Sequence, residues 1–267
     1  MFKVASWNVN SLKIRLDQVL EWLETSQTDV LAMQETKSID ENFPVTAFTD
    51  RGYQVHFAGQ KSYNGVAVVS RLPMQDRITD IPDLEDPQRR IMAVTVGGIR
   101  VINLYVPNGS ELSSDKYLYK LNWFEKVTAF IQHQLQIYPH LVVLGDFNIA
   151  PEDRDVHDPA EWQGCVLVSP PERAAFAKLL ALGLHDSFRN FPQEDNIFSW
   201  WDYRAAGFRR NRGLRIDHVL LSTELNALCR QSKIDKEPRK VERPSDHAPA
   251  WVELELPNEL TGSMRID

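Results

Sequence analysis

Short apolar runs that stop abruptly at a polar residue recur along this chain. Residues 2–8 (FKVASWN) read as a strand that leaves the core at Asn8. Ile14 to Thr25 then carries Ile14, Leu16, Val19, Leu20 and Leu23 at steps that suit an amphipathic helix with one buried face. Asp29 to Glu35 is an apolar run ending in charge, the pattern of a buried strand whose C-terminal end reaches a cleft. Strand, helix and strand in that order predict a mixed or parallel sheet.

From Tyr53 onward the strands come closer together, at Tyr53–Ala58, Gly65–Ser70, Arg90–Val96 and Ile99–Val106. Gly97-Gly98 between the last two is a hairpin signal. Ser113 to Gln136 is the longest helical pattern, with Leu118, Leu121, Val127, Ile131 and Leu135 on its predicted buried face and Pro139 closing it. Leu141–Asp146 is another apolar strand that ends in an acid. The second half predicts a helix over Glu172–Leu182, an aromatic strand over Phe198–Tyr203, and strands over Arg215–Ser222 and Ala248–Leu256. Asp153–Ser169 has few periodic apolar residues and reads as a long surface loop, a length that points to function. No flexible linker or short repeat divides the chain, so one domain over 1–267, a layered α/β sandwich, is expected.

Composition adds little to this picture. With 43% hydrophobic and 25% charged residues, 267 positions are an ordinary globular chain that can bury a substantial core. A formal charge of −7 argues against an indiscriminate nucleic-acid coat protein. It leaves room for an enzyme that meets phosphate through a local basic patch while acidic residues serve a metal. The cysteines, Cys165 and Cys229, are far apart and in no metal-ligand spacing, so free thiols in a reducing compartment are expected. No stretch reads as a membrane span or secretory signal, and a cytoplasmic location without membrane contact is the expectation.

The candidate chemistry lies at the polar strand ends. Asn8, Glu35, Asp146 with Asn148, and Asp217 with His218 follow or close apolar runs, and Asp246-His247 precedes the last one. Side by side at a strand end, Asp246 and His247 point to opposite faces, so one can serve a metal and the other a substrate. Oxygen donors without cysteine fit a hard divalent cation such as Mg²⁺ or Mn²⁺. With an imidazole nearby they fit phosphate-ester hydrolysis. In Gly145-Asp146-Phe147-Asn148 the glycine permits a tight exit and places Asp and Asn on one side, although Asp-x-Asn is also plain turn chemistry. Bland readings stand beside these: Asn8 as a turn former, Asp217 as a partner of Arg215, Tyr105 as a core aromatic.

Taken together, WNVN at Trp7–Asn10, QETK at Gln34–Lys37, LYVPNG at Leu104–Gly109, GDFN at Gly145–Asn148, RGLRID at Arg212–Asp217 and SDHAP at Ser245–Pro249 outweigh those readings. Spanning essentially the whole chain in order, they resemble the exonuclease III family of apurinic/apyrimidinic (AP) endonucleases. That family lies within the endonuclease/exonuclease/phosphatase superfamily, which includes the DNase I type. QETK, QRR at Gln88–Arg90 and FSWWDYR at Phe198–Arg204 narrow the resemblance to the DNA-repair branch. The resemblance implies a four-layered α/β sandwich, two mixed β-sheets packed face to face and flanked by helices, with Mg²⁺ at one edge and Mn²⁺ as a substitute. It implies Glu35 as principal metal ligand with Asn8 and Asp246 near the same ion. Asp146 would activate the attacking water and Asn148 would hold it. In a two-ion version Asp146, Asn148 and His247 would also be ligands. His247 would contact the scissile phosphate with Asp217 orienting it, Tyr105 would contact the phosphate or leaving oxygen, and Asn108 would bind phosphate. His218 gains no role and is expected to pack beside the site.

For substrate, the resemblance implies duplex DNA containing abasic sites or blocked 3′ ends, cut 5′ to the lesion. Trp200, Leu214 and Ile216 would form a small apolar pocket for a flipped-out deoxyribose. Arg209, Arg210, Arg212 and Arg215 form a basic cluster beside Phe208 suited to the DNA backbone, and Arg89-Arg90 a second one in which one arginine is an internal strut. Gly109–Tyr119 and Asp153–Gln163 depart from the family pattern, which leaves the balance of endonuclease and exonuclease activity open. A monomer without an obligate protein partner is expected. The rivals are another phosphoesterase of the superfamily and an inactive DNA-binding protein.

Overall fold

The computed structural model describes residues 1–257 and 260, so the expected span 1–267 runs past the described residues. Its strands in chain order are β1 (Phe2–Asn8), β2 (Val30–Gln34), β3 (Gln54–Ala58), β4 (Val66–Ser70), β5 (Met74–Ile78), β6 (Ile91–Val96), β7 (Ile99–Tyr105), β8 (Leu141–Asp146), β9 (Leu184–Asp186), β10 (Trp200–Trp201), β11 (Gly213–Leu214), β12 (Asp217–Ser222), β13 (Cys229–Ile234) and β14 (Ala250–Leu254). The helices are α1 (Leu12–Ser26), α2 (Val45–Thr49), α3 (Asp115–Ile137), α4 (Pro170–Leu180) and α5 (Thr223–Ala227).

Two six-stranded sheets carry the molecule, ordered β13-β14-β1-β2-β4-β3 and β5-β6-β7-β8-β12-β9, and the short pair β10-β11 stands apart. Each sheet holds one parallel pair, β1 with β2 and β7 with β8, among antiparallel neighbours. A helix makes each parallel crossover, α1 in the first sheet and α3 in the second. Both crossovers therefore deliver C-terminal strand ends in pairs, with Asn8 opposite Gln34 and Tyr105 opposite Asp146. Open α/β sheets place ligands at such ends.

The core has three apolar layers, which fixes four layers of secondary structure. Val4, Val30, Val68, Val94, Val101, Val142 and Leu144 meet between the sheets. Trp7, Val19, Leu23 and Met33 join α1 to the first sheet, and Ile102, Phe124, Val127 and Val143 join α3 to the second. A polar tie crosses the inner layer: Asn103 Nδ2 donates to Met33 O (2.9 Å) and Ala67 O (3.0 Å), and its Oδ1 accepts from Gln34 Nε2 (2.8 Å). A buried carboxamide satisfied this way fixes the offset of the sheets, because sliding them would strand its donors.

Several expectations shift. In α3, Leu118 is 64% exposed, whereas Tyr117, Lys120, Trp123, Phe124 and Gln134 are buried. The buried face includes a lysine and a glutamine with internal partners, so apolar spacing alone misreads it. Ile14 is likewise exposed. The aromatic strand shrinks to Trp200–Trp201. Four strands go unpredicted by the pattern: the two-residue β11, and β5, β9 and β13, which are sheet edges where polar residues on the open side hide the alternation.

Arg215 corrects the expected basic cluster. It is buried, with Nε 2.6 Å from Asp155 Oδ1 and Nη2 2.7 Å from Asp186 Oδ2, so it braces the interior and is withdrawn from any DNA face. Its Nη1 also meets His218 Nδ1 at 3.0 Å, while His218 Nε2 lies 2.9 Å from Ile149 O. That requires a neutral ring protonated on Nε2, with Nδ1 accepting. Burial, reinforced by Arg215, pushes His218 down to about 4. The unfolded chain takes up this proton near pH 6.5 and the folded one only near 4, so stability rises with pH across that window. Acidification from pH 6.5 to 4 should cost roughly 3 kcal/mol through this residue. Thermal melts of wild type and His218→Gln across the window should diverge, the variant losing less; parallel curves would remove His218 as the cause.

Candidate active site

The strand ends of the two sheets converge on a buried group of carboxylates. Asn8, fully buried at the end of β1, donates through Nδ2 to Glu35 Oε1 (2.9 Å) and to Asp146 Oδ2 (2.9 Å), so one carboxamide bridges both sheets. Gly145 makes the Asp146 exit possible. Its φ is +149°, and a Cβ there would lie 1.9 Å from Leu104 O. Asp146 then sits in register with Tyr105 on one side and Asp217 on the other.

His247 closes the group. Its Nδ1 donates to Asp217 Oδ2 at 2.8 Å, and its Nε2 is 3.7 Å from Asp146 Oδ2. Burial opposes an imidazolium here, but Asp217 and Asp146 outweigh it and hold His247 up at about 10. Burial, with Asp217 adding to it against His247, raises Asp146 to about 7. Glu35 is lowered despite burial, because Lys37 Nζ lies 2.9 Å from Oε2 and Asn8 donates to Oε1. Burial and the facing carboxylates of Glu35 and Asp146 push Tyr105 far up, so its phenol keeps the proton. Arg90 stacks 4.7 Å from that ring and donates to Gln88 and Tyr105 O, which makes it the internal strut of the Arg89-Arg90 pair.

The two phosphate-type carboxamides also meet. Asn108 Nδ2 donates to Asn148 Oδ1 (3.2 Å), and Asn148 Nδ2 donates to Val106 O (2.9 Å). Asp246 accepts from Asn10 Nδ2 (2.9 Å) and Trp200 Nε1 (3.0 Å), so both its oxygens have protein donors. Ligand atoms of Glu35, Asp146 and His247 lie within 4.8 Å of one another, a group that omits Asp246. A metal cation fits these donors. Burial, with the neighbouring Asp217 carboxylate adding to it, pushes Asp146 up to about 7, and buried Asp217 Oδ1 has no partner among the described residues, so the charge of a cation would be compensated here.

Several contributors carry no assigned role in the sequence. Asn10 and Lys37 lie inside the WNVN and QETK motifs, which is the available signal; Lys37 Nζ donates to Asn10 Oδ1 at 2.6 Å. Arg15, buried on α1, donates to Asn10 O, Arg243 O (3.2 Å) and Pro244 O (3.0 Å), and Arg239 donates to Ser245 O. Nothing local in the sequence marks either arginine. Left-handed backbone at Asn10, Ser11, Glu35, Lys37 and Asn148 gathers at the same place, as stored strain does at functional sites.

Beside the carboxylates, Trp200, Leu214 and Ile216 join one apolar cluster with Ala150, Val156 and Leu167. Leu214 and Ile216 are buried, and Trp200 is half-buried. Trp162, from the Asp153–Ser169 loop, stands edge-on to Trp200 with centroids 6.4 Å apart. Arg209 and Arg210 are exposed, and Arg212 is ion-paired with Glu161 of that loop.

The model of the Endonuclease/Exonuclease/phosphatase family matches residues 5–247. Exodeoxyribonuclease III of Haemophilus influenzae is 36% identical over 265 residues, covering 94% of this chain and 99% of that protein. Among solved structures, the 3′ phosphatase NExo from Neisseria, bound to a product DNA hairpin, superposes with a TM-score of 0.94 at 45% identity, covering 96% of this chain and 100% of that one. An AP endonuclease from Archaeoglobus fulgidus gives a TM-score of 0.93 at 36% identity with the same coverage.

The pair His247–Asp217 is directly testable in the metal-free protein. Asp217→Asn removes the strongest charge that raises His247 and leaves burial, which lowers it. The ring should then titrate more than about one unit lower by NMR. An unmoved titration would detach Asp217 from the imidazolium.

Proposed function

This chain belongs to the Endonuclease/Exonuclease/phosphatase family, and on that premise we propose that it is a Mg²⁺-dependent DNA-repair phosphodiesterase, an AP endonuclease that cuts 5′ to abasic sites and also trims 3′ ends. The observation that carries this reading is the convergence of Asn8, Glu35, Asp146, Asn148, Asp217 and His247 at one edge of the paired sheets. Full-length similarity to exodeoxyribonuclease III supports it.

Glu35 would be the principal holder of the cation, with the Asn8 carboxamide, Asp146 and Asp246 near it, while His247, as an imidazolium, stays outside the ligand set. Bound there, the cation would neutralise charge on the phosphate and act as Lewis acid. Asp146 lies where it can accept the proton of an attacking water. His247, kept cationic by Asp217, faces the phosphate as a charge and a donor. Tyr105 offers its phenolic O–H to the phosphate or the leaving oxygen. One N–H of each carboxamide, Asn108 and Asn148, is held internally, and the other is directed to a phosphate oxygen.

The apolar cluster of Trp200, Leu214 and Ile216 forms the floor for a base-less sugar. Exposed Arg209 and Arg210 meet the DNA backbone, and Arg212 does so if released from Glu161. A second reading has its own support: Trp162 lies across this floor, and a relative 45% identical is a 3′ phosphatase. A floor covered in that way favours 3′-end processing over internal incision.

Three duplexes assayed with Mg²⁺ decide between these readings: one with a central abasic analogue, one with a 3′-phosphate, and one undamaged. Incision of the first is expected, and dominant release from the second would favour end processing. Survival of both damaged duplexes at enzyme excess, with hydrolysis of an inositol phosphate instead, would overturn the assignment. Asp146→Ala should lose turnover by roughly 10²–10⁴-fold while still folding and binding the abasic duplex. Undiminished turnover there would remove its role toward water.

A further inference from the structure

Behind the two carboxamides lies a cation that the reading above leaves without a role. Lys120 of α3 is 1% exposed, and its ammonium donates to Asn108 O (3.1 Å), to Asn148 O (2.7 Å) and to Glu172. An ammonium has three N–H groups, so its donors are fully engaged. Two of its acceptors are main-chain carbonyls of the residues whose side chains face the phosphate. Asn148 is in the left-handed region, with φ 48°, and Gly109 beside Asn108 has φ 96°, conformations open to Asn and Gly that the ammonium then fixes through the two carbonyls. Lys120 packs into the space that Gly109 leaves, where a Cβ would come 3.1 Å from Lys120 Cδ.

The other end of the pair is equally constrained. Glu172 is buried and completes a capping box with Ser169 at the start of α4. Its Oε2 accepts from Ser169 N (3.0 Å) and Ser169 Oγ (2.6 Å), and its Oε1 from Leu167 N (3.0 Å). Leu167, held at φ 75°, belongs to the apolar cluster with Leu214 and Ile216, and its carbonyl accepts from Ala150 N at 2.7 Å. One buried ion pair thus ties both phosphate-facing turns and the end of the long loop to two helices.

We propose that Lys120 is a positioning residue, with Glu172 as its anchor: it sets the pose of Asn108 and Asn148 against the scissile phosphate and couples that pose to the Asp153–Ser169 loop. The proposal rests on the phosphodiesterase reading for its substrate, but the placement of the carboxamides can be measured without substrate.

Lys120→Met keeps the aliphatic stem and removes the donors, and Lys120→Met/Glu172→Gln also removes the unpaired buried charge, so that a folded protein is obtained. In the metal-free double variant, the side-chain NH₂ resonances of Asn108 and Asn148 should move, while backbone amides of the inner core, such as Val101 and Val142, stay in place. Turnover of the damaged duplex that the wild type cuts should fall about 10–100-fold, with KM within about threefold. Unmoved carboxamide resonances would overturn the proposal. So would turnover restored to wild type in the double variant, which would leave Lys120 only a charge balance for Glu172, or a loss confined to KM. A wild type that cuts no damaged duplex would instead defeat the phosphodiesterase reading, and the NMR comparison would still judge Lys120.

Discussion

Burying several carboxylates in one place is the constraint to which the rest of this structure answers. Glu35, Asp146 and Asp217 stand together at the sheet edge, and like charges this close cannot all ionise without compensation. Each is answered differently. Glu35 has Lys37 and the Asn8 amide, Asp217 has His247, and Asp146 is left with a single amide donation, the main chain of Asn148 and a more distant imidazole. The least compensated carboxylate is therefore the one whose proton is most loosely decided near neutrality. Removing a partner from such a group costs more than the pair itself contributes, because a buried charge is stranded.

The scaffold makes this crowding possible. Two strand–helix–strand crossovers, one per sheet, end their parallel strands at the same edge, so Asn8 and Glu35 arrive from one sheet and Tyr105 and Asp146 from the other. Asn103 keeps the sheets from sliding, and a slip of one residue would turn these ends to the wrong faces. Around the edge, buried cations grip the turns by their carbonyls: Arg15 and Arg239 hold residues 243–245, and Lys120 holds Asn108 and Asn148. Arg15 reaches the turn at Asn10 as well, so the chain's first and last contributions to the site share one guanidinium.

The strand ends are legible in the sequence because an apolar run that stops at Asn8, Glu35 or Asp146 ends its strand there, although Asn8 and Asp146 stay buried instead of leaving the core. Linking them into one fold takes the ordered motifs, since periodicity does not say which ends meet. Polar strands at sheet edges, such as β5 and β13, stay hidden because open faces impose no alternation. The second arginine of RGLRID shows the limit most clearly. Density along the sequence groups Arg215 with Arg209, Arg210 and Arg212 as a basic surface. Its place one residue before Ile216, close to the start of β12, turns it inward to Asp155 and Asp186. Neighbouring charges in sequence can belong to opposite sides of a chain.

The inward turn of Arg215 is part of how an acidic protein handles a polyanion. Arg15, Arg100, Lys120, Arg215 and Arg239 are all buried and braced against internal polar partners, so none of them is free to attract a duplex. Buried acids (Asp146, Asp155, Glu172 and Asp217) nearly balance these buried cations, so the formal charge of −7 is carried mainly by the surface. Exposed cations such as Arg209 and Arg210 are what remains near the apolar floor. Affinity from counterion release scales with the phosphates neutralised, and the five buried cations contribute nothing to it. The burial that raises Asp146, beside a second buried carboxylate at Asp217, is what a cation would offset to complete the site.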